Sequence, residues 1–80
     1  MTAPDPVMRA RTVVADALGL SVDEVPADAS MESLEDWDSL QHLHVIMAIE
    51  AEGGVRLSSE AAPEMSSIER IASHFAGGDS

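Results

Sequence analysis

The 80-residue chain contains no cysteine. That excludes a disulfide framework and a thiolate metal site, so any thiol chemistry must come from an added group. Basic residues are scarce. Lys and Arg number 4 against 15 Asp and Glu, giving a formal charge of −11. This balance argues against nucleic acid and anionic membrane surfaces as partners, and favours basic proteins with fast electrostatic encounter. It also keeps a small domain soluble, and charge alone does not separate the two effects. No apolar run is long enough to span a bilayer, and no signal-peptide pattern is present. A cytoplasmic location is therefore expected. The length allows one small domain that buries only about 60% of its unfolded surface, too little for a deep catalytic cleft. Disorder is disfavoured, because hydrophobic content is 45% and periodically arranged.

What is present reads as helices. Asp5-Pro6 forms a start signal, with Asp5 as cap and Pro6 at the first helical position. Val7, Ala10, Val13, Val14, Ala17 and Leu18 follow at helical spacing, and Gly19 fits the end. A long loop then runs from about Leu20 to Trp37. Its apolar residues Leu20, Val22, Val25, Met31, Leu34 and Trp37 read as anchors that tie it down. Asp28, Ser30, Glu32, Glu35, Asp36 and Asp38 lack the ligand order and central glycine of a calcium loop, so this reads as a solvated acidic loop.

A second helix is expected from about Ser39 to Glu52, stopped by Gly53-Gly54, with Val55 to Leu57 extended. Ser58 to Met65 holds a short third helical turn limited by Pro63. Ser66 or Ser67 caps a last helix with Ile68, Ile71, Ala72 and Phe75 on one face. Met1 to Pro4 and Gly77 to Ser80 read as frayed ends. The fold class is all-α: one domain over residues 1–80, folded over about 5–76, as a small four-helix bundle with a long first loop and a minor third helix.

The second helix has two apolar sides. Leu40, Leu43, Met47 and Ala51 fall on one, and Val45, Ile46 and Ile49 roughly opposite. A domain this small cannot easily surround a helix completely. One stripe should therefore face the core and the other should meet partners.

The chemistry concentrates at Trp37-Asp38-Ser39-Leu40. Asp38 is a good N-cap, and Gln41 stands where its side chain can bond back to the cap. Ser39 then becomes the first helical residue, free to point outward. An anionic group attached there would sit at the positive end of the helix dipole. Asp38-Ser39-Leu40, midway along the chain and set in this helical pattern, resembles the attachment motif of the acyl carrier protein family. The resemblance covers about Val7 to Phe75. It implies that Ser39 receives a phosphopantetheine arm from coenzyme A, with Asp38 and Leu40 flanking the attachment point. Asp38 would help dock or orient the transferase.

Acyl groups would ride on the arm's thiol as thioesters. The partners implied are a phosphopantetheinyl transferase and acyl-loading and acyl-transfer enzymes, met by a monomer that does no catalysis itself. The implied docking face is Leu40, Gln41, Leu43, His44 and Met47, with Val45, Ile46 and Ile49 as core.

The chain departs from the fatty-acid-synthase type of carrier. Gln41, His44 and Ala51 stand where carboxylates are usual, and only Glu50 and Glu52 remain near the far end. The stretch Leu34-Glu35-Asp36-Trp37 replaces a Leu-Gly pair. The Trp-Asp-Ser-Leu form is more similar to freestanding carriers of specialised, polyketide-like or hybrid pathways. Gly53 replaces a bulky aromatic, which is expected to loosen the helix end or enlarge an interior cavity.

Other readings of these residues are weaker. Ser39 and His42 form no hydrolase dyad, since there is no nucleophile elbow and no oxyanion hole beyond the helix start. His42 and His44, two apart on a helix, diverge and cannot chelate a metal. His42 is expected at the core edge, His44 near the partner face, His74 on the surface, and Trp37 as the loop's anchor. Two alternatives to an acyl carrier stay open: an aminoacyl or peptidyl carrier, and an unmodified acidic interaction module. Modification of Ser39 separates the carriers from the module.

Overall fold

The computed structural model describes residues 5–54 and 56–77. The first helix, α1 (Pro6–Leu18), starts as its sequence directs: the Asp5 carboxylate accepts the Val7 N–H at 3.2 Å. Proline fits the next position because its missing N–H has no intrahelical partner there. Gly19, at φ 74°, closes α1 in the left-handed conformation that glycine adopts without a steric penalty. Ala10, Val13, Val14 and Ala15 are buried. Ala15 lies outside the expected stripe. Its burial follows from position, because the principal helix contacts are those of α1 with both later helices. A helix held on two sides buries a wide sector, and alanine fits where space is short.

The loop to residue 38 is tied down at three places. The Arg11 guanidinium donates to the Val25 carbonyl at 2.7 Å and to the Val22 carbonyl at 3.1 Å, closing a 3₁₀ turn at Val22–Glu24. Ala29 to Met31 then meets Ser66 to Ile68 in a short antiparallel clasp. Met31 N–H donates to the Ser66 carbonyl and Ile68 N–H to the Ala29 carbonyl, each at 3.0 Å. Finally Val25, Ala29 and Trp37 are buried, with Leu20, Val22, Met31 and Leu34 half-buried against them. The expected anchors hold, and Ala29 joins them.

The second helix, α2 (Ser39–Gly53), runs to Gly53 and closes on Gly54 at φ 70°. Gly53 is exposed, and a Cβ added there would meet nothing within 4 Å. Its missing side chain therefore enlarges no interior cavity, contrary to one of the two expectations. The Glu50 carboxylate accepts the Leu57 N–H at 2.8 Å and so holds the returning chain.

The expected third helix is only a 3₁₀ turn at Ala62–Glu64. Pro63 supplies no N–H and disfavours the α conformation at Ala62, so the carbonyls of Ala61 and Ala62 are met from three residues on. Among the described residues there are thus three α-helices and two 3₁₀ turns, not four helices.

The last helix, α3 (Ile68–Phe75), is capped by Ser67, whose hydroxyl accepts the Arg70 N–H at 3.2 Å. Ile68, Ile71 and Ala72 join Val14, Val25, Trp37, Val45 and Ile49 in one core. No described helix is long and apolar enough to cross a membrane. Val55, Met1 to Pro4 and Gly78 to Ser80, read from sequence as extended or frayed, lie outside the described residues.

Candidate functional site

The start of α2 is built by its cap. Asp38 is extended (φ −95°, ψ −176°) and its Oδ1 accepts the Gln41 N–H at 2.8 Å. Its carbonyl accepts the His42 N–H at 2.8 Å, the first bond of the helix ladder. Ser39 is the first helical residue and is exposed. The N–H groups of Ser39 and Leu40 precede the ladder and have no acceptor within the helix. The Ser39 hydroxyl has no partner among the described residues. A phosphodiester on this oxygen would therefore displace nothing. It would gain unpaired N–H donors at the positive end of a 15-residue helix. The site fits an anionic group attached to Ser39.

Gln41 departs from its expected role. Its side chain does not return to the cap, because His44 Nδ1–H donates to Gln41 Oε1 at 3.0 Å. Beside this pair lies the apolar stripe. Leu40, Leu43 and Met47 are 66%, 61% and 65% exposed, while Val45 and Ile49 on the other side are fully buried. Ile46 is half-buried against the core, and Ala51 is exposed. The two stripes divide as expected.

Charge is distributed unevenly around the stripe. Glu50 is committed to Leu57 N–H, and Glu52 pairs with Arg9 at 3.2 Å. The loop that leads to Ser39 carries exposed carboxylates at Glu32, Glu35 and Asp36.

Trp37 is fully buried behind the cap. Its indole N–H donates to His42 Nδ1 at 3.0 Å, and His42 Nε2–H donates to the Ala62 carbonyl at 3.0 Å. An indole nitrogen can only donate, which fixes the imidazole tautomer. Trp37 thus anchors the loop and His42 lies at the core edge, as read from sequence. Their bond to each other was not legible there; the only hint is a lone Trp and a His on either side of a cap. His74, expected on the surface, is half-buried, its ring centroid 5.9 Å from that of Phe75. Among the described residues no three His, Asp or Glu side chains gather closely enough to hold a metal ion.

Comparison with known proteins bears on this geometry. A family model described as a phosphopantetheine attachment site matches residues 9–75. The chain is also similar to an acyl carrier protein of Petrotoga mobilis, with 32% identity over 69 residues that cover 86% of this chain and 81% of that one.

Proposed function

Since this chain belongs to the phosphopantetheine-binding acyl carrier family, we propose that Ser39 is its attachment residue and that the chain works as a single carrier domain. Carriers of this family hold phosphopantetheine covalently and have no catalysis of their own. The observation that supports Ser39 is its exposed hydroxyl at the first position of α2, without a partner among the described residues. In the transfer, Ser39 Oγ gives up its proton and bonds to phosphorus of coenzyme A, whose nucleotide portion leaves. The transferase supplies magnesium and the catalytic groups, so this chain contributes a positioned nucleophile. When bound, the arm supplies a thiol that carries an acyl group as a thioester.

Leu40, Leu43 and Met47, flanked by Gln41 and His44, form the docking face for the transferase and for acyl-loading and acyl-transfer enzymes. Asp38 and Leu40 frame the attachment point. Methionine suits a surface that must fit several partners. The lack of free carboxylates on α2 supports service in a specialised pathway rather than housekeeping fatty acid synthesis. The carrier acts as a monomer in the cytoplasm.

Intact mass, after incubation with coenzyme A, magnesium and a broad-specificity phosphopantetheinyl transferase, tests the attachment. Wild type is expected to gain one phosphopantetheine and Ser39→Ala none. A gain that persists in Ser39→Ala, or no gain by folded wild type, overturns it. For the docking face, Met47→Glu should leave stability within about 0.5 kcal/mol, because the side chain is exposed. Acyl loading of that variant should slow. Unchanged loading kinetics would remove Met47 from the face.

A further inference from the structure

His42 makes more contacts than a core-edge residue requires. Its backbone N–H bonds to the Asp38 carbonyl, its Nδ1 accepts the Trp37 indole, and its Nε2–H reaches the Ala62 carbonyl. One residue thus grips both loop residues that precede Ser39 and joins them to the turn that follows α2. The two rings lie 6.0 Å apart between centroids, tilted by 31°. Trp37 is fully buried, so its N–H needs a protein acceptor. A phenyl ring at either position could fill the space, but it could not direct the indole. The direction matters because Trp37 ends the acidic loop. Glu35 and Asp36 stand immediately before it in the chain, both exposed, so the seat of the indole fixes where the stretch that carries them joins the cap of α2.

We propose that His42 is a positioning residue for the modification of Ser39: through its bond to Trp37 it fixes the acidic loop beside the serine, and so sets how tightly a phosphopantetheinyl transferase holds the apo-protein. The proposal rests on Ser39 being the attachment residue. His42 stands three residues from Ser39 and takes no part in the chemical step. Its removal therefore acts on recognition, which appears in KM, and leaves the reacting hydroxyl and kcat in place.

The test is steady-state transfer of phosphopantetheine to purified apo-protein by one transferase, with helical circular dichroism confirming folding at the assay temperature. The variants are His42→Phe, Trp37→Phe, the double variant and His42→Gln. Trp37→Phe should raise KM for the apo-protein about fivefold, the equivalent of one net hydrogen bond, and His42→Phe, which also loses the bond to Ala62, by at least as much, with kcat little changed. The double variant should be no worse than His42→Phe alone, because that variant already lacks the bond between the rings. His42→Gln keeps a donor that can reach Ala62 and has only a flexible Oε1 to offer the indole, so its KM should fall between those of wild type and His42→Phe. If Phe at position 42 unfolds the domain, His42→Gln and Trp37→Phe carry the same comparison.

Wild-type KM in the folded variants, additive losses in the double variant, or a loss confined to kcat would overturn the proposal. Failure of wild type to be modified would instead overturn the Ser39 assignment, so the two failures are distinct.

Discussion

At the scale of single residues, the scarce basic side chains are all the more valuable where they are used. Arg9 pairs with Glu52 and also lies over the Phe75 ring, 4.4 Å from its centroid, so it touches α1's two neighbours at once. The Arg9 and Glu52 side chains are 27% and 43% exposed, and a pair this open contributes little by itself. With the cation–π contact added, Arg9→Met should destabilise by about 1 kcal/mol in urea melts, and by less at high salt. Glu50 has a different task. Its carboxylate meets a backbone N–H that would otherwise be left part-buried and unsatisfied. Glu50→Ala should therefore cost about 1–2 kcal/mol, while Glu50→Gln, which keeps an acceptor oxygen, should cost less. Equal losses in the two variants would show that charge, not the bond, holds the chain there.

At the scale of elements, α2 ends in adjacent glycines with opposite requirements. Gly53 is helical with open space at its Cβ, whereas Gly54 sits at φ 70°. Gly53→Ala should stabilise by about 0.5–1 kcal/mol, and Gly54→Ala should destabilise by about 1 kcal/mol. Thermal melts of the pair check both signs. The elements that sequence reveals are those whose signals are local. Asp5-Pro6 and Asp38 as caps and Gly19 as a stop act within a few residues and are legible outright, while Ser67 and Gly54 are legible only as one of an adjacent pair, Ser66 or Ser67 and Gly53-Gly54. The stripes of α2 were legible because helical spacing alone separates Leu40, Leu43 and Met47 from Val45 and Ile49. Contacts between distant segments were not. The clasp of Ala29 to Met31 with Ser66 to Ile68, the reach of Arg11 to Val25 and the seating of Trp37 on His42 depend on the path of the chain. The third helix was over-read because eight residues around a proline carry much the same pattern for a 3₁₀ turn as for an α-helix. Gln41 was misassigned because a histidine one turn later competes with the cap for its side chain.

At the scale of the whole molecule, a formal charge of −11 on 80 residues works against compaction. Screening should relieve this, so the melting temperature should rise between low and moderate salt. A steady fall over that range would show that attractions such as the Arg9–Glu52 pair outweigh the general repulsion. The clasp has a consequence on this scale too. Two hydrogen bonds of 3.0 Å hold Ala29 against Ile68 and Met31 against Ser66, so the loop, α2 and the return segment leave and re-enter the body of the domain through one gate. Residues 32–65 therefore form a cassette with adjacent ends. Grafting that stretch from a relative, with apolar residues kept at the buried positions Trp37, Val45, Ile49 and Met65, exchanges the attachment serine and its surroundings in a single splice. The α1–α3 chassis beneath stays the same.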